Sequence, residues 1–144
     1  MSIERFVEAQ DAVFATVLAE LRAGRKRTHW MWFIFPQIKG LGHSEMAQFY
    51  AIESPEEAVE YLAHPILGPR LLQCCEIVTG LRGLTAHEVF GSPDDLKFRS
   101  CLTLFAVVAK DPGPFLTALD KCYAGQADAA TLGLLGEVQK PKLR

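Results

Sequence analysis

Residues 54–80 read SPEEAVEYLAHPILGPRLLQCCEIVTG, and their punctuation is helical throughout. Ser54 stands at an N-cap, Pro55 takes the first helical position, and Glu57 follows three after the cap, so backbone donors at the helix start are met in both directions. A helix over 55–63 follows. His64-Pro65 closes it, because the residue before a proline is pushed out of helical geometry, and Pro65 opens a second helix that runs to Gly80. Gly68-Pro69 marks a kink or restart near its beginning.

The same grammar recurs on both sides. Downstream, Thr85-Ala86-His87-Glu88 is a capping box whose short helix ends at Gly91. Ser92-Pro93-Asp94-Asp95 launches the long apolar helix LKFRSCLTLFAVVAK, Asp111 with Pro112 and Pro114 starts the next, and Asp128 caps a last one. Upstream, Phe6, Val13, Val17 and Leu21 share one apolar stripe, which predicts a single helix over 3–22 ended by Gly24. Thr28 is read as the cap of a short helix through HWMWFIF, stopping near Phe35 because Pro36 follows; the same run also suits a buried strand. No two runs form a strand hairpin. The expected fold is all-α, a single compact orthogonal bundle of about eight mostly short helices over residues 1–136, with a frayed polar tail at 137–144.

Bulk properties narrow the function. At 144 residues the chain fits one domain, and a domain of that size buries about 70% of its unfolded surface without a metal or disulfide staple. With 49% apolar and 22% charged residues it is an ordinary globular composition. A net charge of -2 argues against duplex nucleic acid, since such affinity comes from neutralising several phosphates. The N-terminus MSIERFVEAQDAVF has no apolar run long enough for a signal peptide or membrane span, so the expectation is a cytoplasmic protein, a monomer or weak homo-oligomer. Its four cysteines are then expected as reduced thiols. Cys74 and Cys75 diverge by about 100° on a helix and no C-x-x-C spacing exists, so all four read as small buried residues rather than metal ligands. No metal or cofactor is expected.

Chemistry concentrates in residues 24–50, GRKRTHWMWFIFPQIKGLGHSEMAQFY, which are aromatic, basic and punctuated by glycine. Gly42-His43-Ser44-Glu45-Met46 begins like a nucleophile elbow but has Met46 at the second glycine, and no strand precedes it. Gly40-Leu41-Gly42 opens a dinucleotide fingerprint whose third glycine would fall on Glu45. Both motifs fail. Ser44 is instead read as the N-cap of a helix EMAQFY, with Glu45 in its favourable first turn.

The blocks HWMWFIFPQ, GLGHSEMAQFYAI, SPEEAVEYLAHPILGPRLLQCC and FGSPDDLKFRSCLTLF resemble those of an uncharacterised bacterial family of small all-helical proteins, catalogued as a domain of unknown function. The resemblance runs from about Phe6 to Leu135 and implies an all-α single domain but no activity. Some family members carry the label "calpastatin", which is set aside because calpastatin-type inhibitors resemble disordered repeats. A second, distant similarity, in the order of Ser44-Glu45, Gln48, Ser54-Pro55 and the late basic helix, is to the small helical NADAR domains. It implies substrates of the ADP-ribose or nucleotide N-glycoside class, and no diagnostic motif matches residue by residue.

A planar anionic ligand wants an aromatic face, cations and a few amide donors. Trp30 or Trp32 supplies the face, and since residues two apart diverge by about 200° on a helix, one of them is expected in the core. Arg70, Lys97 and Arg99 are the candidate phosphate contacts, with His29, Gln37, Lys39 and Ser44 lining the loop side. A pairing of Asp95 with Arg99 at i,i+4 is the competing structural explanation for the charges of that helix. His43 and Glu45 are the candidate proton carriers, Glu45 competing with a purely electrostatic role at a helix start. Two functions are expected to compete: binding of a nucleotide-like or other anionic small molecule, with or without N-glycoside hydrolysis, and a protein-docking module using basic loop 24–29 and an exposed tryptophan.

Overall fold

The computed structural model describes residues 2–136, and four of its helices begin at a side-chain cap read from the sequence. In chain order the helices are α1 (Glu4–Asp11), α2 (Phe14–Arg22), α3 (Met31–Ile34), α4 (Glu45–Phe49), α5 (Pro55–Ala63), α6 (Leu67–Gly80), α7 (Ala86–Phe90), α8 (Asp94–Val108), α9 (Gly113–Tyr123) and α10 (Ala129–Leu134). Side chains of Ser44, Ser54, Thr85 and Asp128 each accept the backbone amide three residues on, and Glu88 returns to the Thr85 amide to complete the capping box. The all-α class is as expected. Among the described residues the only sheet-like pairing is an isolated bridge between Ile38 and Ile52; the tail 137–144 lies outside them.

Three expectations need correction. The stripe at 3–22 is not one helix but two, broken at Ala12 and Val13, which brings the helices among the described residues to ten. α1 packs against α3 while α2 packs against α6, and one straight helix cannot face both. Arg70 of α6 fixes the break, binding Asp11 at 2.9 Å and lying over the Phe14 ring. Thr28 does not cap α3; its hydroxyl donates to Glu20 at 2.7 Å, and α3 starts after Trp30. Ser92 does not cap α8, whose first residue follows Pro93 directly.

α6 and α8 are joined through shared neighbours, since α9 packs against both and so does α5. α8 buries every residue from Ser100 to Ala106, the pattern of a helix surrounded by others. Its polar members bond within the helix, Ser100 Oγ to Leu96 O and Thr103 Oγ1 to Arg99 O. α5 and α6 meet so closely that a Cβ on Gly68 would lie 2.2 Å from the Leu62 carbonyl oxygen. Only glycine fits there. His64 serves the turn between them, its Nδ1 accepting the amides of Ile66 and Leu67, and Lys121 of α9 donates to the carbonyls of Val78, Thr79 and Leu81 at the end of α6. Cys74, Cys75 and Cys101 are buried free thiols on α6 and α8, and burial pushes the Cys74 thiol up to about 12.

One buried ion pair fastens the N-terminus to this frame. Arg5 of α1 donates from Nη1 and Nη2 to both carboxylate oxygens of Glu57 at 3.3 and 3.2 Å, and its remaining donors reach the carbonyls of Ser2, Phe49 and Ala51, each at 2.7 Å. Glu57 Oε1 also accepts the Glu53 amide at 2.9 Å. Replacing one partner leaves the other charged, buried and alone, which typically costs about 3–5 kcal/mol. Arg5→Met is therefore expected to lower the chemical unfolding free energy by that order. The double variant Arg5→Met/Glu57→Leu should recover much of it, and a loss equal to the sum of the single variants would count against the pairing.

Candidate functional site

The aromatic block sends its two tryptophans to different places. Trp30 is in the core, 1% exposed, with its indole N–H donating to Glu20 at 2.9 Å. It has no face to offer a ligand, which corrects its reading as a stacking residue. Trp32 is half-buried and lines a small enclosed cavity beneath the loop from Gln37 to Ala51. The other walls are Gln37, Lys39, Gly42, Gln48 and Tyr50. The enclosed space is about 20 Å³, enough for one water-sized group.

The loop owes its shape to its own residues. Ser44 Oγ caps α4 by accepting the Ala47 amide at 3.1 Å, and the Gln48 side-chain amide returns to the His43 carbonyl at 2.7 Å. A Cβ on Gly42 would sit 2.5 Å from the Ala47 Cβ, so the close approach of loop and helix requires glycine. Lys39 is exposed and 3.4 Å from Glu53. His43 and Glu45 are exposed as well, and neither lines the cavity.

The α8 cation Lys97 lies near the Trp32 ring but is not part of the cavity lining. Lys97 Nζ lies 5.5 Å from the Trp32 ring centre and 3.4 Å from Asp94. Asp94 in turn holds Lys26 at 3.0 Å, and Lys26 lies over Trp30 at 5.1 Å. The expected Asp95–Arg99 pair is absent: Arg99 donates to the carbonyls of Gln126 and Ala127 and lies over the Tyr123 ring. Arg99 therefore ties down the segment before α10, and Arg70 is spent at the α1–α2 break, so neither meets Trp32. His29 is exposed on the basic loop. Of the predicted contacts, Gln37 and Lys39 line the cavity with Trp32, Lys97 lies near the Trp32 ring outside the lining, and Ser44 holds the loop; His29, Trp30, Arg70 and Arg99 do not join it.

Gln48 carried a sequence signal only through its place after Ser44-Glu45, and Tyr50 carried none as a site residue. Both lie inside what reads as a plain helix, EMAQFY, and the chain reversal at Ile38–Ile52 brings them to the cavity with Trp32. Glu20 was equally silent on its stripe. It accepts the amides of Arg27 and Thr28, the Thr28 hydroxyl and the Trp30 indole, and so sets the path of the basic loop into α3.

The chain belongs to the family described as a protein of unknown function (DUF1810), whose pattern matches residues 1–135. Its fold is similar to the crystal structure of the conserved hypothetical protein Rv1873 from Mycobacterium tuberculosis, at 50% sequence identity and a TM-score of 0.91, over 92% of this chain and 95% of that one. No curated protein matches it. Neither description names an activity, and neither carries the calpastatin label.

Glu20 makes the loop geometry dependent on pH. Burial pushes its carboxyl up, but the hydrogen bonds from Arg27, Thr28 and Trp30 outweigh that and hold it at about 2, below the ordinary 4.5. A depressed carboxyl stabilises the fold fully above its unfolded value and loses that contribution as pH falls through the folded one. Unfolding free energies of the protein and of Glu20→Gln, measured by urea from pH 6 to pH 2, should therefore converge between about 4.5 and about 2. A constant gap across that range would contradict this role.

Proposed function

We propose that the protein binds a small anionic ligand with a planar group, seated on Trp32 beneath the loop 39–51. The observation that supports this most is that Trp32 lines an amide-bearing cavity and also has the Lys97 ammonium 5.5 Å from its ring centre. An aromatic face gives area at low entropic cost, the cation answers the anion, and the side-chain amides of Gln37 and Gln48 fix orientation. A nucleotide or ADP-ribose fragment has all three complementary features. Binding rather than N-glycoside hydrolysis is the reading, because hydrolysis needs a carboxylate at the scissile bond and no acidic side chain lines the cavity among the described residues.

A protein-docking role fits less well. Lys26 of the basic loop is drawn into its ion pair with Asp94, its side chain only 8% exposed, and Trp30 beside that loop is core. What remains there is Arg25 and Arg27, exposed cations, with His29 exposed beside them and no aromatic anchor.

Thermal-shift screening with ADP-ribose, mononucleotides and inorganic phosphate tests the reading. A ligand at a hundredfold excess over its Kd stabilises by about 2.7 kcal/mol, a shift of several degrees. Any hit should also change Trp32 fluorescence and should weaken by about tenfold or more in Trp32→Leu and in Lys97→Met, the scale of losing one desolvated contact. No shift with any of these compounds, or hits that both variants bind unchanged, would rule out this site.

A further inference from the structure

The loop over Trp32 has the anatomy of a moving part. Its neck is pinched at the Ile38–Ile52 bridge, where the Lys39 amide donates to Ile52 O and the Ile52 amide to Gln37 O, both at 2.8 Å. Its far root is clamped by Arg5 at the carbonyls of Phe49 and Ala51. Between these fixed ends the hydrogen bonds close on themselves. The amides of Ala47, Gln48, Tyr50 and Ala51 reach only Ser44, Met46 and Gln48, and the Gln48 side chain reaches only His43.

Packing on the body is confined to the neck side, where Leu41 lies partly buried against the core and a Cβ on Gly40 would sit 3.2 Å from Leu134 of α10. α4 contains no buried residue, and its Met46 and Phe49 are 41% and 44% exposed. Tyr50, by contrast, packs its ring on Phe6 and Phe33 at 5.9 and 5.2 Å and stays with the body. A surface loop with joined ends, internal bonds and little burial is an Ω-loop, the kind of unit that opens locally without unfolding the rest. The space between loop and Trp32, about 20 Å³, holds one water-sized group, so a larger ligand fits beneath the loop only if the loop moves.

We propose that residues 40–48 are a lid that swings off Trp32 as one body, hinged at the Ile38–Ile52 neck and at the carbonyls held by Arg5, and that ligand enters through the open form. Its purpose rests on the binding reading, but the opening is a property of the ligand-free chain and is measured there. The tight fit of Gly42 against Ala47 makes loop and α4 move together, and the clamp at Phe49 and Ala51 keeps the motion from spreading into α5.

Hydrogen exchange on the ligand-free protein at increasing sub-denaturing urea tests it. The amides of Tyr50 and Ala51, which bond across the hinge to the Met46 and Gln48 carbonyls, should exchange about tenfold or more faster than those of α8, with a rate nearly independent of urea, because a local opening exposes little new surface. Hinge amides that share the rate and urea slope of α8 would overturn the proposal. A second measurement is acrylamide quenching, which reports Trp32 because Trp30 is buried. Gly42→Ala drives a methyl into Ala47 and should raise the quenching constant about twofold or more with the helical melting curve kept. Unchanged quenching in a folded Gly42→Ala protein would also overturn it. Fast hinge exchange together with no ligand from the screen would sink the binding reading and leave the lid standing.

Discussion

The guanidinium of Arg5 uses all five of its N–H donors inside the protein, two on Glu57 and three on backbone carbonyls. A buried cation is tolerable only on those terms, since each unmet donor and the charge itself would carry a desolvation penalty. The consequence is geometric. Ser2, Phe49, Ala51 and Glu57 must all lie within reach of one planar fork, so the start of α1, the end of the lid and the start of α5 are held in a single arrangement. The Trp32 cavity inherits its outer wall from that constraint, because Tyr50 sits between the two carbonyls Arg5 holds.

Behind this clamp the aromatic rings supply the body on which the lid rests. Phe6, Tyr61, Phe105 and Phe115 form one chain of contacting rings across α1, α5, α8 and α9, and Phe35, Phe90 and Phe98 form another across the end of α3, α7 and α8. Gln10 crosses between the helices, its side-chain amide donating to the Phe33 carbonyl and the Tyr61 hydroxyl. α3 is only four residues long and cannot fold alone. Its position is fixed by Gln10 on one side and by Glu20 gripping Trp30 on the other, which turns Trp32 outward toward the loop.

What was legible in the sequence follows from how local each interaction is. Helix starts at Ser44, Ser54, Thr85 and Asp128 were readable because a cap and its amide lie three residues apart. The role of Glu57 was half readable: its place after Ser54-Pro55 signals a helix start, yet its carboxylate binds Arg5, 52 positions away, and the Glu53 amide rather than that of Ser54. The break at Ala12 and Val13 was hidden because the apolar period runs straight through it, and only the partners of α1 and α2 force it. The divergence of Trp30 and Trp32 was legible from helix geometry, but which of them is core depends on Glu20, a residue whose own sequence context is an ordinary helical stripe.

If the proposed ligand binds at Trp32, the charges of α8 favour Lys97 over Lys26 or Arg99 as the cation that meets it. Arg99 is committed to two carbonyls whose desertion would release the segment before α10. Lys26 is nearly buried, and moving it would leave Asp94 and the Trp30 face uncovered. Lys97 is bound more loosely, at 3.4 Å from Asp94 with over a quarter of its side chain exposed. A partly exposed ion pair contributes at most about 1 kcal/mol, and if Lys97 turns to an anion, Asp94 keeps Lys26 at 3.0 Å. The carboxylate is thus never left unpaired, so recruiting Lys97 to the Trp32 face exchanges one weak contact for another instead of breaking a buried pair.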